Sequence, residues 1–119
     1  VHGGEWGHGD LGRVRPGDVV VLLSNSGETP ELLGLPAAVR ARGADVITLV
    51  GRADSTLARA GTAIVAPCGD ELLGCIPTRS VVAQEMVCNA LLTAVVELKG
   101  VDAAQFKTNH PGGAIGAGL

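Results

Sequence analysis

The sequence predicts an α/β domain built on a parallel sheet, and three observations carry that prediction. The run Val19-Val20-Val21-Leu22-Leu23 is continuously apolar rather than alternating, the pattern of a strand covered on both faces. Strand-like and helix-like stretches then alternate as far as residue 66, which predicts right-handed βαβ crossovers. Composition agrees: 46% of the residues are hydrophobic, mostly Ala, Val and Leu, and only 2% are aromatic. That balance suits a sheet covered by alanine-rich helices, and 119 residues suit one domain.

The elements follow in order. Residues 1–12 carry five glycines and two of the three histidines, and read as loop rather than helix. His2, Glu5 and His8 suggest metal ligands at first sight, but the glycines remove the helical face that would aim them together, so no metal site is expected. Arg15-Pro16-Gly17-Asp18 is a turn signal, and residues 18–24 form the first strand. Residues 30–42 are helical in character and close at Gly43, with Pro36 predicting a kink or a late start. Residues 45–50 form the second strand, 55–60 a short helix capped by Asp54 or Ser55, and 62–66 the third strand. The loop 67–78 leads to a long helix over 79–99. Its polar positions Glu85, Asn89, Thr93 and Glu97 share one stripe, and the wide apolar remainder predicts burial against the sheet and another subunit.

Several function classes are disfavoured. Net charge is −3 without a Lys/Arg cluster, so neither nucleic acid nor an anionic membrane is an expected partner. The scarcity of aromatics argues against stacking on single-stranded nucleic acid. Cys68, Cys75 and Cys88 form no CxxC pair, which predicts reduced thiols in a cytoplasmic protein. No window holds roughly 18 uninterrupted apolar residues, and no signal peptide is recognisable. Neither GxGxxG nor a P-loop lysine motif is present, so a nucleotide site is disfavoured.

The most informative stretch is Ser24-Asn25-Ser26-Gly27-Glu28-Thr29-Pro30-Glu31-Leu32. A buried strand, a hydroxyl-rich turn with one glycine and a helix start together make an anion site, because helix N-terminal amides favour a phosphate. Ser24, Ser26 and Thr29 add hydroxyl donors. Pro30 suits the first helical position, with Thr29 as N-cap. A capped connection without a ligand uses the same residue types. In parallel sheets ligands sit beyond the carboxyl ends of the strands, where residues 24–29, Gly51-Arg52 and the loop after Ala66 all fall.

The order His8-Gly9-Asp10-Leu11-Gly12, Ser24 to Thr29, Pro77-Thr78-Arg79-Ser80, Asn89-Ala90-Leu91 and Asn109-His110-Pro111-Gly112-Gly113-Ala114-Ile115-Gly116 resembles the sugar isomerase (SIS) domain family. Within it the likeness is to the branch of arabinose-5-phosphate isomerases and fungal SIS-domain relatives, over essentially the whole chain. The resemblance implies a flavodoxin-like αβα sandwich with a five-stranded parallel sheet, a homotetramer, and interconversion of D-arabinose 5-phosphate and D-ribulose 5-phosphate without an organic cofactor. It implies that Ser24, Asn25, Ser26, Gly27, Glu28 and Thr29 hold the sugar phosphate and that Thr78 and Ser80 lie near the substrate. The catalytic candidates by motif position are Glu31, His8 and His110. The likeness also places the family's first strand and its Gly-Lys-Ser-Gly loop before Val1, so 1–119 is expected to be an SIS domain partial at its N-terminus. A glutamate of the bacterial enzymes falls in register on Gly69, where Asp70 or Glu71 can replace it through a shifted loop, and Asn89 stands where an aspartate is usual.

The chemistry of the residues agrees. Moving a carbonyl from C1 to C2 needs a base for a carbon-bound proton and an acid for the enediol oxygens, and carboxylate and imidazole are readily tuned for this near neutral pH. Either Glu31 or His110 serves as base, with His8 in ring opening or hydroxyl positioning. Glu28 is alternatively a partner for loop amides, Asp10 a support for the loop carrying His8, and His110 a capping turn residue. The competing expectation is an SIS module that senses a phosphosugar without turning it over, which needs only the phosphate turn.

Overall fold

In the computed structural model, which describes residues 2–109, three parallel strands form a sheet in the order β1 (Val19–Ser24), β2 (Asp45–Val50), β3 (Thr62–Val65). The fold is therefore mixed α/β with a parallel sheet, as the continuous apolar runs predict. Each crossover passes through helix: α1 (Pro30–Leu33) and α2 (Leu35–Arg40) join β1 to β2, and α3 (Thr56–Ala60) joins β2 to β3. The chain divides after Gln84 into two compact units.

In the first unit one sheet face carries the core. Leu22 on β1 and Val46 and Val50 on β2 pack with Leu32, Leu35, Val39 and Leu57 from the three helices. Trp6, Leu11 and Val14 of the N-terminal segment and Val20 close the cluster. The register Leu22↔Thr48 and Ser24↔Val50 puts these residues on one face, because strand side chains alternate. Leu57 is wholly buried there. Leu57→Ala is expected to destabilise the fold by about 2–5 kcal/mol, the range for a buried leucine that leaves a cavity, measured by urea unfolding.

β1 has β2 on one side only among the described residues, and its alternate side chains Val19, Val21 and Leu23 are exposed. The strand is thus half-buried, not covered on both faces as its composition suggests.

Two local readings need correction. Residues 3–13 are not plain loop: Gly3–His8 and Asp10–Arg13 form 3-10 segments joined at Gly9, which takes φ 118. The helix expected over 30–42 breaks at Gly34, one residue before α2 takes Pro36 into its first turn. Proline has no amide to continue the ladder, so the late-start alternative holds for the second piece. The cap of α3 is Ser55, whose Oγ accepts from the Ala58 amide at 3.3 Å.

α4 (Arg79–Lys99) runs from the first unit into the second, where α5 (Ala103–Thr108) follows. α4 has the length and apolarity of a membrane span, with mean hydropathy 1.5. Glu85 and Glu97 on one stripe make lipid a costly surrounding. Of the α4 residues only Ser80 is buried, so the wide apolar surface expected to be covered stands exposed among the described residues. α5 begins at a capping box: Asp102 accepts from the Gln105 amide at 2.8 Å while Gln105 accepts from the Asp102 amide at 3.2 Å.

Candidate functional site

Three loops leave the same end of the sheet, since Ser24, Val50 and Val65 are paired neighbours at the strand termini. Backbone bonds tie them together: the Gly51 amide donates to Asn25 O at 2.9 Å, Leu57 to Gly27 O at 3.0 Å and Ala66 to Val50 O at 2.8 Å. The fit is tight. A Cβ on Gly51 would strike the Asn25 side chain, and one on Gly27 would strike that of Ser55.

The hydroxyl turn is held from within. Buried Ser24 accepts from the Gly27 amide at 3.0 Å, and its Oγ lies 2.7 Å from Thr29 Oγ1. Thr29 stands at the N-cap position of α1 as expected, but without a side-chain cap bond. Its hydroxyl is drawn instead to the strand end. α1 spans only four residues, so a long helix dipole is not what favours an anion here. Ser26 is exposed and accepts from the Glu28 amide at 3.1 Å. The Glu28 carboxylate turns to α3, taking the Thr56 amide at 2.7 Å, and that bond is the main cause holding its pKa below the ordinary value. Glu28 is thus seen in the amide-partner role.

A second carboxylate organises the loop 67–78. Half-buried Glu71 accepts from the amides of Thr78 (2.7 Å), Arg79 (3.0 Å) and Ser80 (3.0 Å) and from the Thr78 hydroxyl (2.9 Å), closing the open amides at the start of α4. The Asn25 side-chain amide reaches its other edge at 3.4 Å. The Cys68 thiol lies 3.6 Å from Asn25 Oδ1. Of the two shifted-loop alternatives, Glu71 makes these bonds and Asp70 is exposed. Thr78 and Ser80 stand at this clamp, Ser80 being buried.

Hydrogen bonding from the Ser80 side chain first, then from the Thr78 amide, lowers the Glu71 pKa from 4.5 to about 2. A carboxylate so saturated with donors is a fixed acceptor, not a proton-taking base. Because its folded value lies below the unfolded one, its contribution to stability is whole above about pH 4.5 and fades as pH falls towards 2. Glu71→Gln is expected to flatten the acid limb of the thermal midpoint between those pH values, read by circular dichroism melts.

The open space beside the turn is a cavity of about 450 Å³ lined by His2, Gly3, Trp6, residues 21–23 of β1, Thr29, Glu31 and Leu32. Of the expected catalytic residues, Glu31 lines it from the first turn of α1. His8 is exposed and is not among the lining residues. His110 lies outside the described residues. Ser24 and Ser26 precede Thr29 in the turn and are not among the lining residues, and Thr78 and Ser80 belong to the Glu71 clamp. His2 and Trp6 are not expected there from sequence, where His2 stands out only as a metal-ligand candidate. Among the described residues no group of three or more His, Cys, Asp or Glu side chains is assembled to hold a metal ion.

The SIS domain family matches residues 1–94. The chain belongs to that family. Among its relatives, the arabinose 5-phosphate isomerases KdsD of Salmonella typhi and Escherichia coli (strain K12) are each 39% identical over 122 residues. These matches take in 100% of this SIS-domain chain and 37% of each relative, so the chain spans well under half the length of those proteins. A solved E. coli CFT073 protein in complex with arabinose 5-phosphate has a TM-score of 0.83 at 37% identity, over 93% of this chain and 61% of that one.

Proposed function

We propose that this SIS domain isomerises D-arabinose 5-phosphate and D-ribulose 5-phosphate through an enediol. The observation that carries the reading is the cavity itself, which Glu31 and Thr29 both line beside the serine turn. The likeness to the KdsD isomerases and to the chain in complex with arabinose 5-phosphate supports the substrate class.

The phosphate is assigned to residues 24–29, with Thr78 and Ser80 nearby. Ser26 accepts from Glu28 N–H, so its own proton is the one to give to a phosphate oxygen. Ser24 already accepts from Gly27, and donating to Thr29 leaves the Thr29 proton for the ligand. Glu31 takes the C2 proton of the aldose and returns it to C1, with His110 the alternative base and His8 assigned to ring opening or hydroxyl positioning. Homo-oligomeric assembly belongs to the same reading, supported by exposed Met86, Leu92, Val95 and Leu98 on α4.

Incubation with arabinose 5-phosphate, followed by the appearance of ribulose 5-phosphate, tests the proposal. Interconversion is expected. Binding without turnover would replace the enzyme by the phosphosugar-sensing module, and failure to bind would overturn both.

A further inference from the structure

We propose that His2 belongs to the reacting centre: its Nε2–H donates to the sugar oxygen where charge develops while Glu31 works on the adjacent carbon. This rests on the isomerase reading above and assigns that cavity its hydrogen-bond donor. His2 lines the same cavity as Glu31 and Thr29. Its Nδ1 accepts from the Gly4 amide at 3.2 Å. A backbone amide can only donate, so the Nδ1 lone pair is committed and the proton of the neutral ring sits on Nε2. That bond sets the tautomer of the neutral ring and ties the ring to the first turn of the segment.

A second observation explains how His2 comes to line the same cavity as Glu31. A Cβ on Gly3 would lie 2.6 Å from Leu32 Cδ2 and 3.9 Å from Glu31 Cβ. The bare glycine backbone thus lies against the first turn of α1, and a side chain at position 3 would force Leu32 to shift. This approach brings the segment that carries His2 to the cavity that Glu31 lines.

In the reaction the C2–H bond breaks to Glu31, its electron pair forms C1=C2, and the carbonyl pair comes to rest on O1. The Nε2–H of His2 holds that oxyanion. Loss of one such donor lowers kcat by about 10²–10³-fold.

His2→Asn and His2→Gln separate the role from loop structure. Asparagine puts Oδ1 where Nδ1 stood, keeping the Gly4 bond but losing the Nε2 donor, whereas glutamine offers an amide near the Nε2 place. His2→Asn is expected to lower kcat about 10²-fold with KM within about threefold, and His2→Gln to recover about tenfold of the loss. Unchanged kcat in His2→Asn, or equal losses in both variants with a lowered thermal midpoint, would overturn the assignment. If the wild type binds arabinose 5-phosphate without turnover, the isomerase reading fails by itself. His2 is then read by calorimetry: weaker binding of arabinose 5-phosphate by His2→Asn with unchanged inorganic phosphate affinity supports it, and equal affinities sink it. A wild type that binds neither overturns both.

Discussion

Glu31→Gln is expected to lower kcat for the interconversion of arabinose 5-phosphate and ribulose 5-phosphate by about 10²–10⁴-fold while KM moves little. Glutamine fills the same place on the exposed side of α1 and still makes hydrogen bonds, but it cannot accept a proton from carbon. In the proposed reading the phosphate donors are residues 24–29, just before α1, so ground-state binding is expected to survive. Steady-state kinetics separate the two quantities. Retained turnover would pass the base to His110, and His110→Ala would then show the loss that Glu31→Gln did not.

Gly27→Ala is expected to destabilise the domain by about 3 kcal/mol and to weaken phosphosugar binding. The backbone at Gly27 has φ 67, a left-handed conformation costly for any residue with a side chain. A new Cβ would also collide with both Cβ and Oγ of Ser55, which is 2% exposed and caps α3. Strain and overpacking each cost about 1–3 kcal/mol, a large share of the roughly 5–15 kcal/mol that holds a domain folded. Urea unfolding measures the loss. Ser55→Ala leaves the Cβ collision in place and is expected not to rescue the variant, whereas Ser55→Gly relieves it in part. A Gly27→Ala protein as stable as the parent would show that the turn can reshape.

The strands were legible because continuous Val, Leu and Ile runs between turn residues admit few other structures, and all three lie within a residue of their expected bounds. The site was legible only as far as local pattern reaches. Pro30 at the start of α1 and Glu31 facing the cavity follow from sequence spacing. That the Thr29 hydroxyl turns back to Ser24 does not, because the choice depends on how the turn closes on β1. α5 carries a local signal of its own: Asp102 followed at the third position by Gln105 is a capping-box pattern. Glu71 could be named only as one of two alternatives, since seven residues separate it from the Thr78 amide it caps. His2 was beyond reach. Its place depends on Gly3 meeting Leu32 across 29 positions of chain, a contact that no local periodicity records.

The rim of β1 that stays open among the described residues has a geometric consequence. Six residues at about 3.3 Å each give a template of roughly 20 Å of main-chain donors and acceptors. A guest strand laid alongside with the same polarity would finish level with Ser24, so whatever chain came after it would emerge above the serine-rich bend. One laid with opposite polarity would deliver its beginning there instead. The direction of pairing at that rim decides which end of a newcomer overlooks that bend.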